Sequence, residues 1–436
     1  MNDFLPKADP PQAETSGFAA FLTIAKHLPR NLLRVKGTKE VCVKICILTL
    51  DKHSVVEAGL RIFYKTAQIM ASHGHDVTLV VEDTVDCGIP AVSGRVTLKN
   101  TPSWLRRPFF RGGFSPGTVL HRVWLVLVNR YDVVYVNPGF RPAILLPVIF
   151  ARLFTRTLIV EEVWEWFGPG GVGSSRTGFL SRLVGLYDMG AEWISKWFAH
   201  QLIVISTPLK ERFSFFKNCV VLHGSVESDA LMPMNINKAR DILGMDRRLF
   251  IFGMCSLDAG DEEDNTPAFN ALSEIFKTNP DARIFVTGAK DYIEKSIYKL
   301  IDPEKVIYPG WIPFDQYSTY LSACNVFVLP YPPTNRNLGR WPNKFGDYIV
   351  MRRPLITNPT ADVGRLCAEY RVGCLCKNDT KTYVDSFIQA MNGLSVNAVF
   401  EHEQLLNKLK NFEQRAEFLL GIFNSLVEKR ICKSVP

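Results

Sequence analysis

The pattern that most constrains this chain is an alternation of strand and helix that runs to a stop and then starts again. Val43–Leu50 is a continuous apolar run, the kind of strand buried on both faces of a parallel sheet. The loop Asp51–Ala58 leads to Gly59 and then a helix. Its apolar face, Leu60, Phe63, Tyr64, Ala67, Met70 and Ala71, follows the 3.6-residue period. Gly74 closes the helix and Val77–Val81 is the next strand, completing a βαβ unit. Asp132–Asn137, Thr157–Glu162 and Leu202–Ser206 read as further strands, with helices over Pro142–Phe154 and Glu192–Phe198. The pattern restarts with strands at Leu249–Cys255, Ala282–Thr287, Lys305–Tyr308, Val326–Leu329 and Pro354–Thr357, again separated by helices.

The expectation is α/β, with two open parallel sheets covered by helices on both faces. A chain of 436 residues has the length for two such domains. The divisions read as an N-terminal extension over 1–40, a first domain over 41–225, a second over 235–410 and a terminal helix over 411–436. The linker falls near Gly224–Ala239. Leu405, Leu406, Leu409, Phe412, Ala416, Leu419, Leu420 and Phe423 predict one long amphipathic helix near the end.

Charge is unevenly distributed. Cys87–Val160 holds ten basic residues against a single acid, Asp132. Aromatics interleave the cations in Trp104-Leu105-Arg106-Arg107-Pro108-Phe109-Phe110-Arg111. Such a surface suits anionic lipid headgroups or a phosphorylated acceptor, with nucleic acid as the competing partner. A second basic run, Gly17–Lys39, places Phe18, Phe21, Leu22, Ala25 and Leu28 at helical spacing before Pro29. An interfacial amphipathic helix, a disordered tail and a locally packed one all fit it. The ten cysteines show no paired CxxC arrangement and read as free core thiols, which fits a reducing cytosol. No run approaches the roughly 18 apolar residues of a membrane span. Phe18–Ile24 is short and lacks a cleavage signature, so a signal peptide is not expected. The histidines show no paired metal spacing, and no metal or cofactor is implied.

The segment Arg336–Pro359 concentrates the chemistry. A helix is expected to start at Pro342–Asn343, with Asn343 as its cap. Arg336, Arg340 and Lys344 surround that N-terminus with positive charge, a ready anion site. Asp347, one turn in, offers an acceptor for sugar hydroxyls. Diphosphate neutralisation beside a ribose-type acceptor points to a nucleotide ligand.

This segment is similar to the donor-site signature of glycosyltransferase family 4, whose members have the two-Rossmann GT-B fold. Pro342-Asn343-Lys344, Asp347-Tyr348 and Pro354-Leu355-Ile356 carry the match, with Asp where many members have Glu. Tyr308–Pro313, Tyr317–Ala323 and Asn325–Pro330 resemble the run before the donor loop, and Ile203–Ser206 with Leu209 and Phe213 its strand-serine-helix element. Glu162–Gly168 resembles the acidic-aromatic turn of sugar-transferase members.

The resemblance implies an acceptor domain over 41–225, a nucleotide-sugar donor domain over 235–410, a cleft between them and a terminal helix returning to the first domain. The donor substrate would be a nucleotide diphosphate sugar. Its leaving-group charge would be met by Arg336, Arg340, Lys344 and the N–H groups near Gly339. Asn343 belongs to the same site, and Gly59 would let backbone approach the diphosphate from the other side. Catalytic roles fall to Glu165, as the residue positioning or deprotonating the acceptor, and to Asp347. Trp104, Arg106, Arg107, Phe109, Phe110 and Arg111 would form the membrane or acceptor surface.

Three departures stand out. Gly339 occupies the place of the family's first motif glutamate. Ser256–Asp264, where the family often has Arg and Lys, is strongly acidic, and such a loop repels a diphosphate unless it turns away. The histidine often found in the first domain has no clear counterpart. The expected activity is a hexosyltransferase-type transfer, retaining by resemblance, to a glycan or lipid-linked acceptor at the cytoplasmic membrane face. Nucleic acid is not expected as a partner. A non-catalytic GT-B scaffold in a polysaccharide assembly complex and a sugar-nucleotide epimerase are the alternatives.

Overall fold

A computed structural model describes residues 42–50, 58–81, 92–93, 96–101, 112–174, 178–310, 312–393 and 398–434. The extension 1–40 and the surface formed by Trp104, Arg106, Arg107, Phe109, Phe110 and Arg111 lie outside the described residues.

The first sheet contains β1 (Lys44–Thr49), β2 (Asp76–Val81), β3 (Val92–Ser93), β4 (Val96–Asn100), β5 (Val133–Asn137), β6 (Leu158–Val163), β7 (Gln201–Val204) and β8 (Cys219–Val221). Their order is β3-β4-β2-β1-β5-β6-β7-β8. All neighbours pair parallel except β3 and β4. Strand β1 shows why the run is continuously apolar. Ile45 and Ile47 face one layer of helices, and Cys46 and Leu48 face the other.

The second sheet contains β9 (Phe250–Leu257), β10 (Ala282–Gly288), β11 (Val306–Ile307), β12 (Val326–Leu329), β13 (Leu355–Thr357) and β14 (Gly373–Leu375). The order β11-β10-β9-β12-β13-β14 is wholly parallel and doubly wound. The two-Rossmann architecture is therefore present. The switch points, where crossovers change direction, lie between β1 and β5 and between β9 and β12.

The terminal helix differs from its expected form. Helix Ala398–Lys408 packs in the second domain, and a separate helix, Phe412–Ser434, follows. The chain crosses between domains at the break, where the Val226 N–H donates to the Lys410 carbonyl at 3.0 Å. Ala416, Leu419, Leu420 and Phe423 then pack on Phe63, Ala67 and Met70 of helix Ala58–Ser72. The return to the first domain holds, and a bridge at Asn411 interrupts the single long helix.

The basic stretch also divides. Arg122 is fully buried and donates to the Thr49 carbonyl at 2.8 Å, and Arg141 pairs with the buried Asp188 at 2.7 Å. These two arginines are therefore engaged inside the first domain and are not surface charge. Arg130, Arg152 and Arg156 are exposed.

Candidate active site in the interdomain cleft

A cavity of about 480 Å³ lies between the sheets, at the carboxyl ends of strands from both domains. Asn137 and Glu161 reach it from the first domain, and Ser256 and Leu329 from the second. This is where ligands bind in open α/β sheets.

The second domain supplies the cation-bearing wall. Helix Asn343–Val350 begins as expected, but its N-cap is Pro342 and no side chain caps it. Asn343 is the first helical residue and lines the cavity with Arg340 and Lys344. Lys344 donates to the Cys255 carbonyl at 3.2 Å. Burial lowers the pKa of Lys344, opposed by the nearby Asp261 carboxylate.

The acidic loop does not turn away. Asp261 stands 3.4 Å from Arg336, 3.3 Å from Arg340 and 4.0 Å from Lys344. Asp264 binds Arg336 at 2.9 Å and accepts from Asn337 at the same distance. Both acids line the cavity. The cations expected to meet a diphosphate are thus already paired. Arg336 is not among the cavity-lining residues, and its guanidinium also donates to the Gly260 carbonyl.

Gly339 has a different role from the one expected. Its N–H donates to the Asn335 carbonyl at 3.0 Å, so it is engaged within its own turn. A Cβ placed there would lie 2.5 Å from the Trp166 backbone nitrogen. Glycine is required because the two domains touch at this point. Three further contacts join the domains nearby. Ser206 Oγ donates to the Leu338 carbonyl at 2.8 Å, Asn335 donates to the Pro169 carbonyl at 3.0 Å, and His223 stacks on Trp341 with centroids 4.4 Å apart. Asp362 accepts from the Thr207 N–H at 2.6 Å and its hydroxyl at 2.7 Å. Burial raises the Asp362 pKa, but hydrogen bonds from His223 and Thr207 outweigh it and hold the carboxyl well below its ordinary range.

Asp347 is set back from the cavity, with the Tyr317 hydroxyl 3.5 Å from its carboxylate. Glu165 lies just past the end of β6 and lines the cavity. Gly59 sits in the first turn of helix Ala58–Ser72, and Ile62, three residues on, reaches the cavity wall.

The first-domain wall also holds charged residues that the sequence reading does not single out. Buried Glu161 accepts from Lys196, and from Ser195 Oγ at 2.9 Å. Buried Glu162 pairs with Arg415 of the terminal helix and accepts from the Tyr135 hydroxyl. Burial, then the Glu162 charge, raises the Tyr135 pKa well above its ordinary value. Glu161, Glu162, Lys196 and Arg415 all line the cavity. Two consecutive glutamates on a buried strand were the available signal, since buried carboxylates demand partners. Among the described residues, one His–Glu–Glu group lies within metal-ligand reach: His73, just past the end of helix Ala58–Ser72, with Glu413 and Glu417 of the last helix.

Residues 262–394 match the family described as Glycosyl transferases group 1. A search of curated proteins finds no match. Several solved structures share the fold. A sucrose-phosphate synthase from Thermosynechococcus elongatus aligns at TM-score 0.70 and 12% identity, over 88% of this chain and 100% of its own. A glycosyltransferase from Rickettsia africae aligns at TM-score 0.66 and 11% identity, over 88% and 99%. The Anabaena protein HepE, solved with UDP and glucose, aligns at TM-score 0.65 and 12% identity, over 88% and 100%. With the group 1 family matched over residues 262–394 and paired Rossmann sheets throughout, this chain has the GT-B fold and carries a glycosyl transferases group 1 domain in its second half.

Proposed function

We propose that the enzyme transfers a hexose-type sugar from a nucleotide diphosphate sugar to a glycan or lipid-linked acceptor, with retention, at the cytoplasmic face of a membrane. The observation that carries the donor side is the wall formed by Arg340, Asn343 and Lys344 at a helix N-terminus facing the other domain. Preorganised charge there stabilises a departing diphosphate. Asp347 takes the ribose hydroxyls, and Glu165, across the cavity, orients the acceptor hydroxyl or takes its proton. The HepE complex with UDP makes a uridine nucleotide the first donor to try. The acceptor assignment and a role in polysaccharide or glycoconjugate synthesis, like placement in family 4 itself, follow the resemblance in Pro342–Ile356.

Thermal stabilisation by UDP, GDP and ADP tests the donor site, because a tight ligand raises stability by mass action. Arg340→Gln should weaken UDP far more than uridine. Equal loss for both would remove the phosphate role.

The pairing of Asp261 with the donor-side cations favours a second reading, a non-catalytic GT-B partner in a polysaccharide assembly complex. Slow donor hydrolysis without acceptor supports the enzyme; its complete absence, with intact nucleotide binding, supports the scaffold.

A further inference from the structure

Three helices lie side by side on one face of the first sheet: Pro116–Asn129, Pro142–Phe154 and Phe179–Phe198. Their inner sides bury Leu125, Val126, Ile144 and Val148 against β1 and β5, and Phe198 packs on the same cluster. Their outer sides are also apolar. Leu120 and Trp124 on the first helix, Leu153 and Phe154 on the second, and Leu186 and Trp197 on the third are all exposed, from 57% at Trp124 to 77% at Trp197. Solvated helices normally present polar residues on that side, and large apolar side chains exposed on three neighbouring helices mark an interaction surface.

The charge on this face has one sign. The three helices contain two carboxylates, Asp188 and Glu192, and both are fully buried. Asp188 pairs with Arg141 at 2.7 Å and Glu192 with Arg212 at 2.6 Å. No helix of the three therefore shows an acid to solvent, whereas Arg152 and Arg182 are exposed on them and Arg130 and Arg156 lie just beyond their ends. A symmetric pairing of two copies through this face would set arginine against arginine with no carboxylate to meet either. A lipid monolayer takes both components. Its acyl boundary accepts Leu, Phe and Trp, and its anionic headgroups accept the arginines.

We propose that this three-helix face lies in the headgroup region of an anionic lipid monolayer and fixes the acceptor domain there. The proposal rests on the reading that the enzyme works at a membrane, and it assigns the surface that does so. Helix Pro142–Phe154 starts two residues after Phe140, which lines the cavity. The helix is about 20 Å long at 1.5 Å per residue. An acceptor anchored in the same monolayer is thereby brought to the cleft.

The test is co-sedimentation of the full chain with phosphatidylcholine vesicles, with and without phosphatidylglycerol, at low and high salt. The comparison protein carries Leu153→Gln, Phe154→Gln, Leu186→Gln and Trp197→Gln, all at exposed positions. We expect the wild type to bind anionic vesicles and keep a salt-resistant fraction. The variant should lose binding by about tenfold or more with an unchanged melting temperature. Tryptophan emission of the wild type should be quenched by brominated lipids, a readout that needs no variant. If the wild type binds but is unquenched, or the variant binds as well as the wild type, the membrane reading stands and this face is not its surface. If neither protein binds, both readings fall. A wild-type dimer that becomes a monomer in the variant would then give the face to a second copy.

Discussion

Asp261 holds its carboxylate 3.3 Å from the guanidinium of Arg340 and reaches Arg336 at 3.4 Å, so one acid contacts two of the cations expected to receive a diphosphate. Asp261 itself lines the cavity. Its carboxylate competes with an incoming phosphate for the same donors. Replacing Asp261 with Asn should tighten UDP binding by about 1 kcal/mol, roughly fivefold, the scale of a partly exposed ion pair. Uridine affinity should not change. Calorimetric titration of both ligands decides the matter, and weaker UDP binding in the variant would show that Asp261 organises the site.

Lys344 gives the site a pH dependence with a definite sign. Its pKa is lowered by burial, so the ammonium form is lost at a pH below the ordinary lysine value of 10.5. Diphosphate affinity should be full on the acid side of that lowered pKa and fall as pH rises through it. Lys344→Arg should remove the alkaline fall, because guanidinium stays charged. UDP titrations across the alkaline range check this. An unchanged alkaline limb in the arginine variant would assign the fall to another group.

Gly339 tests how closely the domains must approach. In Gly339→Ala the new methyl would meet the Trp166 backbone at 2.5 Å, where no side-chain motion relieves it. The domains must part or the loop must shift, at a cost of about 1–3 kcal/mol. A lower melting temperature together with weaker UDP binding is expected. Wild-type values for both would mean that the loop moves freely.

Asp347, assigned to the ribose, lies 3.5 Å from the Tyr317 hydroxyl and behind the first turn of its helix. Asp347→Ala should weaken nucleotide binding by about 1–3 kcal/mol, the usual effect of losing a charged hydrogen-bond partner. Uridine and UDP should lose equally, since the contact is to sugar. Unchanged affinity in a titration would remove Asp347 from the donor site.

The two sheets were readable because strands buried on both faces must be apolar at every position. Val326–Leu329 matches its expected bounds, and the others shift by a residue or two. The short strands Val92–Ser93 and Val96–Asn100 offer no such run: the first is a two-residue edge strand, and the second, though paired on both sides, fully buries only Val96. Within the candidate site, the local cluster of Arg340, Asn343 and Lys344 could be read from spacing along one helix start. The placement of Asp261 could not. It depends on how the loop after β9 turns, which local composition does not encode. The outer face of Phe179–Phe198 was hidden for another reason. Leucine and tryptophan at helical spacing signal burial, and sequence does not say whether protein or something else covers them.

Arg415 makes the last long helix part of the first domain, through its pair with Glu162 and its donation to the His223 carbonyl at 3.0 Å. This sets an order on biosynthesis. A nascent chain that has emerged through β8 holds every strand of the first sheet, but Val43, Ile45 and Phe63 still lack the surface that Ala416, Leu419 and Phe423 provide. Glu162 likewise waits, without its arginine, while the whole second domain is translated. The domain made first is completed last, and any stop codon before Phe412 leaves it open.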